Sequence, residues 1–271
     1  MSGRRSRGGA GENFAPANSL SPTGAVHIYT TIGGGIPGPN LIFARIRAAT
    51  KETAMSLRIN ETVPNFMAET NQGPITFHDW IGDSWAILFS HPKDFTPVCT
   101  TEFGAVAQLA GEWEQRNTKV IGVSVDGVED HRKWVGDIEK VAGTSVGFPI
   151  IADEGLSVSK AFDMLPAEAY LPEGRTPADS QTVRSVFIIG PDKKLKLSMT
   201  YPMTVGRNFA EILRALDALQ TSSGENVATP ANWSVGQDVI IPVAVSDEDA
   251  KARYGDFTTV LPYLRTTRLP W

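Results

Sequence analysis

Between residues 84 and 220 the chain alternates between two patterns of apolar and polar residues, which are short apolar runs and segments with an apolar residue at every third or fourth position. Short apolar runs occupy 84–90, 119–125 and 148–153, and such runs are typical of strands buried on both faces. Between these runs, apolar residues recur every three or four positions, which predicts helices, the second of them over 128–141 and a short one over 156–162. The first predicted helix carries one apolar face made of Phe103, Val106, Ala107, Ala110 and Trp113.

The later segments complete one structural unit. Residues 183–189 and 194–200 flank a Gly-Pro-Asp turn, which predicts a hairpin, and a helix over 208–220 closes the unit. This order of elements predicts an α/β fold of three layers with a mixed central sheet. The remaining chain is rich in proline and aromatic residues, which predicts an irregular C-terminal extension with a short helix over 247–254. We expect it to pack on the body or on a second subunit.

The pattern divides the chain into residues 1–54, 55–220 and 221–271. The first segment is poor in acids and rich in glycine, proline and serine, which predicts disorder. It is interpreted as a mitochondrial transit peptide, as a tail without an address, or as a stretch upstream of a working start at Met55. The abrupt start of the folded pattern at Leu57 favours the third interpretation. The basic residues of the segment are Arg4, Arg5, Arg7, Arg45, Arg47 and Lys51.

Composition narrows the classes of partner. The chain has 271 residues, with 25 Lys and Arg against 30 Asp and Glu, so neither nucleic acid nor an anionic membrane surface is expected as its partner. No apolar run approaches the roughly 18 residues of a transmembrane helix. The single cysteine excludes an internal disulfide and a zinc site built on paired cysteines. By itself, such a thiol is more often an inert core residue than a reactive one.

The position of Cys99 changes that balance. It lies in the stretch HPKDFTPVCTTE, after a predicted strand and a loop, in the first turn of the next helix. The positive end of a helix favours thiolate over thiol. Pro92 and Pro97 stiffen the loop, and the hydroxyl of Thr96, three residues earlier, can reach the volume around the sulfur. A reactive cysteine is therefore the better interpretation.

The string Pro-x-x-x-Thr-x-x-Cys, over residues 92–99, resembles the active-site motif of peroxiredoxins. From Met55 to the C-terminus the chain is similar to the one-cysteine (1-Cys) branch of the AhpC/TSA superfamily. The resemblance implies a thioredoxin-like fold and an antioxidant thiol peroxidase that reduces hydrogen peroxide and organic hydroperoxides through a sulfenic acid. The similar segments are GDSWAILFSHP, VEDHRKW, FPIIAD, VRSVFIIGPDKKLKLSMTYP, VGRNFAEILRALDALQ and VATPANW.

The resemblance also implies a role for each matching residue. Cys99 is the peroxidatic nucleophile, Thr96 holds the peroxide, and Pro92 shields the site from water. Arg184 stabilises the thiolate and the developing oxygen charge, and Arg207 completes the network.

Three further residues carry weaker expectations. Glu102 is expected to orient the two guanidinium groups. His91 either lines the pocket or satisfies backbone groups of the loop. His131 has no assigned chemistry and is expected on a helix surface, and the same resemblance implies neither a metal nor a bound cofactor.

The chain has no second cysteine to resolve the sulfenic acid. The expected reductant is external: glutathione, a thioredoxin, a glutaredoxin or a non-thiol donor. A reducing compartment fits this chemistry, so a cytoplasmic protein is expected, or a mitochondrial one if residues 1–54 act as a transit peptide. The resemblance implies at least a homodimer.

Two other functions compete with peroxide reduction. The stretch Gly82-Asp-Ser-Trp-Ala86 is close to the sequence pattern of a nucleophile elbow. Some 1-Cys peroxiredoxins are credited with a phospholipase activity that uses a Ser, a His and an Asp. The matching positions in this chain are Ser84, His78 and Asp192. Ser84 precedes a strand, however, which favours a simple turn. The other alternative is a redox sensor or holdase, for which no local sequence feature was found.

Overall fold

The predicted strands and helices form a five-stranded sheet with helices on both faces. The computed structural model of the chain describes residues 57–169, 171 and 173–270. The predictions for residues 1–54 lie outside the described residues. The strands are β1 (Met67–Ala68), β2 (Ile75–Thr76), β3 (Trp85–Ser90), β4 (Thr118–Ser124), β5 (Ile150–Ala152), β6 (Arg184–Ile189), β7 (Leu195–Tyr201), β8 (Val239–Ile241), β9 (Thr258–Leu261) and β10 (Leu264–Thr267). The helices are α1 (Phe77–Ile81), α2 (Pro97–Gln108), α3 (Ala110–Gln115), α4 (Val128–Ala142), α5 (Ser157–Ala161), α6 (Phe209–Glu225) and α7 (Asp247–Tyr254).

The central sheet has the order β5-β4-β3-β6-β7. Strands β3, β4 and β5 run parallel, whereas β6 is antiparallel to both β3 and β7. Because side chains alternate across a strand, Ile87 and Phe89 of β3 join one core, while Ala86 and Leu88 join the other. The first core includes residues of α2, α4 and α6, and the second includes residues of α1 and α5. The predicted mixed sheet with three layers is therefore confirmed.

The helix predicted through Trp113 is divided in two at Leu109. The N–H of Leu109 donates to the carbonyl of Val106, which tightens the turn, and the indole Nε1 of Trp113 donates to the same carbonyl at 3.0 Å. The side chain thus takes a place that a helical N–H would hold in an uninterrupted helix. Both halves keep their apolar face toward the core, so the periodicity alone gave no sign of the break.

The C-terminal extension has more regular structure than predicted. Helix α7 has the predicted bounds, but β8, β10 and β9 form a separate antiparallel sheet in that order. Trp233 is fully buried in a small cluster with Val227, Val239 and Leu269, and Ala218 of α6 packs against this cluster. The extension therefore packs on the body through α6, which itself continues to residue 225, beyond the predicted boundary at 220.

Gly122 in β4 makes room for the helix that carries Cys99. A Cβ atom at this position would lie 2.7 Å from Cζ and 2.8 Å from Cε1 of Phe103, one turn after Cys99. We expect Gly122→Ala to lower the free energy of unfolding by about 1–3 kcal/mol because the ring cannot move without disturbing the core. Urea denaturation measures this change.

Gly136 in α4 provides the matched control. A Cβ atom there would meet no atom within 4 Å, and Ala is favoured over Gly in a helix. Gly136→Ala should therefore raise the free energy of unfolding by about 0.5–1 kcal/mol. Equal stability of wild type and Gly122→Ala would contradict the packing argument.

Candidate active site

Cys99 occupies the third position of α2, as predicted. Pro97 begins the helix, and Thr96 precedes it with an extended backbone. The hydroxyl of Thr96 donates to the carbonyl of Lys93 at 2.9 Å, which fastens the loop to the helix start. Pro92 is buried at the other end of this loop, and Cys99 itself is 0 % exposed. The sulfur thus lies in a buried first turn, near the helix N–H groups that have no partner within the helix.

Arg184 reaches the sulfur from the neighbouring strand. Strand β6 is antiparallel to β3, with Phe89 opposite Val186, so the start of β6 lies beside the end of β3. Nη1 of Arg184 lies 3.3 Å from Sγ of Cys99 and donates to it. Nε of the same guanidinium donates to the carbonyl of Met203 at 2.7 Å, which fixes the orientation of the group.

Glu102 holds both arginines of the site. Its Oε2 accepts from Nη1 of Arg184 and from Nη2 of Arg207, each at 2.7 Å. Its Oε1 accepts from the main-chain N–H of Arg207 at 2.7 Å and from Nε at 2.9 Å. The structure therefore brings together Cys99, Glu102, Arg184 and Arg207, as the sequence analysis expected.

The three ionic side chains of this buried group, those of Glu102, Arg184 and Arg207, carry a net positive charge. Two guanidinium groups, which stay protonated in proteins, face a single carboxylate. Burial alone would raise the pKa of Glu102, but hydrogen bonds from Arg207 and the charges of both arginines outweigh burial and hold that pKa below its usual range. One positive charge thus stays uncompensated beside Sγ, where a thiolate would neutralise it.

Two aromatic rings enclose the second guanidinium. Cζ of Arg207 lies 5.2 Å from the ring centroid of Phe89 and 5.6 Å from that of Phe209. Burial lowers the pKa of Arg207, while its hydrogen bonds to Glu102 act in the opposite direction. The motifs give no sign of these two rings, although Phe209 lies only two positions after the arginine.

The prediction of His131 on a helix surface is wrong. The imidazole is fully buried, with Nδ1 2.6 Å from Oδ2 of Asp94 and Nε2 3.1 Å from the carbonyl of Ile151. The error has a simple cause, because His131 shares a helical face with the buried Trp134 and Ile138. A polar residue on that stripe was read as exposed from its type rather than from its position.

His91 is bound to the same carboxylate. Its Nε2 lies 2.7 Å from Oδ1 of Asp94, while its ring stacks on Trp134 and meets Phe103 edge-on. Burial lowers the pKa of His91, and the hydrogen bond to Asp94 opposes this effect. Burial also opposes ionisation of Asp94, but the hydrogen bonds from His131 and His91 outweigh it and lower the pKa of Asp94 to about 2. Sequence reasoning missed Asp94, although it lies between His91 and Cys99.

Asp126 adds a third possible ligand atom to this cluster. The atoms of His91, Asp94 and Asp126 lie within 4.8 Å of one another. Oδ2 of Asp126 accepts from the main-chain N–H of Asp94 at 2.8 Å and from Oγ of Ser124 at 2.9 Å. These hydrogen bonds explain the cluster without a metal ion.

The three residues of the hydrolase alternative have other partners. Oγ of Ser84 donates to Asn117, Nε2 of His78 lies 3.0 Å from the carbonyl of Val63, and Asp192 pairs with Lys196. No hydrogen bond joins the three among the described residues. A surface hollow of about 430 Å³ is lined by Ser84 but not by His78 or Asp192.

Comparison with known proteins gives the site its context. The family model described as AhpC/TSA family matches residues 59–198, and the model of the C-terminal domain of 1-Cys peroxiredoxin matches residues 218–256. Peroxiredoxin PRX1, mitochondrial, of Saccharomyces cerevisiae is 52% identical over 78% of this chain and 81% of its own length. Peroxiredoxin-6 of Gallus gallus is 48% identical over 79% of this chain and 98% of its own.

A solved structure agrees with these relatives. It is the structure of the yeast mitochondrial 1-Cys peroxiredoxin, and it describes the thiol resolving mechanism of that protein via the glutathione and thioredoxin systems. That protein has 52% sequence identity to this chain. Its TM-score is 0.72, and the match covers 78% of this chain and 99% of that one. The chain therefore belongs to the AhpC/TSA family of thiol-dependent peroxidases. Within that family it is a 1-Cys peroxiredoxin, consistent with its single cysteine.

Glu102→Gln tests the buried charge group. The amide leaves two buried guanidinium groups without their carboxylate, so we expect the free energy of unfolding to fall by about 3–5 kcal/mol at neutral pH. A carboxyl whose pKa is lowered by folding stabilises the protein above its unfolded pKa and loses this effect as the pH falls. The difference from wild type should therefore shrink below about pH 4.5 in urea denaturation.

Glu129→Gln is the matched control. Glu129 pairs with Arg132 on the exposed face of α4, so its loss should change stability by less than about 1 kcal/mol. If both variants lose the same small amount, the buried carboxylate does not hold the site together.

Proposed function

We propose that this thiol peroxidase reduces hydrogen peroxide and organic hydroperoxides with Cys99 as its peroxidatic cysteine. The observation that carries the proposal is the donation from Arg184 to Sγ at 3.3 Å, inside a buried group with one uncompensated positive charge. Such a group stabilises a thiolate, and the thiolate is the form of cysteine that attacks peroxides.

The reaction follows from that arrangement. The thiolate of Cys99 attacks the terminal peroxide oxygen, an S–O bond forms, and the O–O bond breaks. The sulfur is oxidised to a sulfenic acid, and the hydroxide or alkoxide that leaves takes up a proton to become water or an alcohol. In this proposal the hydroxyl of Thr96 holds the peroxide beside the sulfur, and Pro92 limits access of water.

The arginines act on the charge that develops during this step. A guanidinium held in advance by fixed hydrogen bonds stabilises the negative oxygen without reorganising at the moment of reaction. In our proposal Arg184 performs this role, because it donates to the sulfur and is fixed by both Glu102 and Met203. Arg207 and Glu102 would act through Arg184 by holding it in place.

Intact mass measurement with a sulfenic-acid trap tests the proposal. One equivalent of hydrogen peroxide should give a trap adduct on Cys99 in wild type and none in Cys99→Ser. Arg184→Lys should form the adduct at least about 100-fold more slowly, since the ammonium cannot reproduce the guanidinium contacts. Arg132→Lys, on the exposed face of α4, should react like wild type. A Cys99 that stays reduced while free cysteine is oxidised would refute the proposal.

The sulfenic acid requires an external reductant in our proposal. A first thiol would condense with it to form a disulfide and water, and a second thiol would reduce that disulfide. The yeast relative described with the glutathione and thioredoxin systems supports these two donors over a non-thiol donor. A glutaredoxin remains a further candidate of the same chemical class.

Steady-state turnover distinguishes the donors. Peroxide consumption coupled to NADPH should be sustained by glutathione or by a thioredoxin system with its reductase, and each is supplied separately. Without a reductant, only one equivalent of peroxide should be consumed, followed by slow formation of sulfinic acid at excess peroxide. Sustained turnover with ascorbate and with neither thiol system would contradict this assignment.

We also propose that residues 1–54 direct the protein to mitochondria. The arginines and few acids of this segment support the proposal, as does the mitochondrial name of the yeast relative. Among the described residues no helix is long and apolar enough to cross a membrane. In a yeast cell, a C-terminally tagged full chain should enter mitochondria, whereas a chain starting at Met55 should remain cytoplasmic. A cytoplasmic full chain would support the alternative.

A homodimer is the assembly that we propose. The AhpC/TSA resemblance supports it, and several large apolar residues of the C-terminal extension are exposed in the single chain. These residues include Val235, Val243, Val260, Leu261 and Tyr263. Sedimentation equilibrium of the reduced protein measures the mass of the assembly.

A further inference from the structure

Asp94 lies between two buried histidines in the loop that leads to Cys99. Oδ1 faces Nε2 of His91 at 2.7 Å, and Oδ2 faces Nδ1 of His131 at 2.6 Å. All three side chains are at least 98 % buried. This group joins the active-site loop to α4 and takes no part in the bond changes at Cys99.

Hydrogen-bond partners define where the protons of this group reside. The carbonyl of Ile151 only accepts, so Nε2 of His131 carries a hydrogen. Nδ1 of His131 faces Asp94, whose ionised carboxylate only accepts hydrogen bonds. His91 donates from Nε2 to Asp94, and its Nδ1 has no acceptor within reach, which favours the neutral tautomer with a bare Nδ1. Within the described chain, Nδ1 of His91 is one of two buried side-chain N or O atoms with no hydrogen-bond partner, the other being Oγ of Ser159.

Two further hydrogen bonds hold the loop of Asp94 in place beside the helix of Cys99. The main-chain N–H of Asp94 donates to Asp126, and the carbonyl of the preceding Lys93 accepts from Thr96, the residue before α2. Two points of the loop are thereby fixed: Asp94 by Asp126, which follows β4, and Lys93 by Thr96 at the helix start. Thr96 and Cys99 can keep their places only while this loop does.

The ring of His91 reaches the same helix directly. It stacks on Trp134 with ring centroids 5.0 Å apart and meets Phe103 edge-on at 4.6 Å. Nε1 of Trp134 donates to Oγ1 of Thr100, the neighbour of Cys99. Phe103 follows Cys99 by four positions and therefore lies on the same helical face. Nδ1 of His91, which has no hydrogen-bond partner, thus belongs to a ring that packs against the face of α2 that carries Cys99.

We propose that Asp94 is a positioning residue of the peroxidase reaction. It holds His91 as the tautomer with a bare Nδ1, and it anchors the loop of residues 91–96 to His131 of α4. The proposal rests on the peroxidatic role of Cys99 given above. The charged or titratable groups that face Asp94 are His91 from its own loop, His131 from α4 and Asp126 from the turn after β4.

Asp94→Asn changes this arrangement with little change in size. A carboxamide has one acceptor and one donor end, so it cannot accept from both histidines at once. At least one histidine must then accept from the amide NH₂ group through a ring nitrogen that carries no hydrogen. If that histidine is His91, its hydrogen moves from Nε2 to Nδ1. Loss of the correct tautomer in comparable carboxylate–histidine pairs reduces the rate by orders of magnitude.

The test measures the rate of Cys99 oxidation by hydrogen peroxide in the full chain, from pH 5 to pH 9. Asp94→Asn should react at least about tenfold more slowly than wild type at neutral pH and with an altered pH profile. Asp217→Asn is the matched control, because it removes a carboxylate that pairs with Arg116 elsewhere in the fold. It should lose stability and keep the wild-type rate. Equal rates of wild type and folded Asp94→Asn would overturn the inference.

A second measurement needs no variant and remains decisive if Asp94→Asn does not fold. Nitrogen–proton correlation NMR of histidine-labelled wild-type protein should show a hydrogen on Nε2 of His91 and none on its Nδ1. A hydrogen on Nδ1 of a neutral His91 would overturn the inference. A wild-type Cys99 that resists peroxide would instead refute the peroxidatic role, which separates the two failures.

Discussion

One buried carboxylate facing two buried guanidinium groups is the constraint on which the site depends. Removing an ion from water is costly, so Glu102, Arg184 and Arg207 can be buried only together and with nearly all their polar atoms paired. Four hydrogen bonds from the two arginines to the carboxylate meet that condition. The remaining positive charge is not neutralised by protein carboxylate, and it faces the sulfur of Cys99. The arrangement that allows burial is therefore also the one that places a positive charge beside the sulfur.

The fold places these charges by joining three distant parts of the chain. Helix α2 supplies Cys99 and Glu102, which are three positions apart on one face; β6 begins at Arg184, and the loop before α6 supplies Arg207. The antiparallel pairing of β3 and β6 brings the first two parts to the same edge of the sheet. The rings of Phe89 and Phe209 then enclose Arg207 from the core side. Rigid elements rather than flexible loops thus determine the distance from guanidinium to sulfur.

The sequence predicts well where local pattern and structure coincide. Strands β3 and β4, the hairpin of β6 and β7, and the place of Cys99 in a first helical turn all follow from runs, turns and spacing. The break at Leu109 does not, since it depends on an indole that bonds a carbonyl seven residues away. The sheet of β8, β9 and β10 escaped prediction because its short strands leave too few positions for a period.

The candidate site divides in the same way. Motif resemblance indicated Cys99, Arg184, Arg207 and Glu102, whereas it gave no role to Asp94, whose partner His131 lies 37 positions away in the chain. In our proposal the buried charge group makes the sulfur of Cys99 reactive. Stopped-flow measurement of the second-order rate constant with hydrogen peroxide tests it most directly. We expect a value at least about a thousandfold above that of free cysteine thiolate. A value within tenfold of the free thiolate would contradict it.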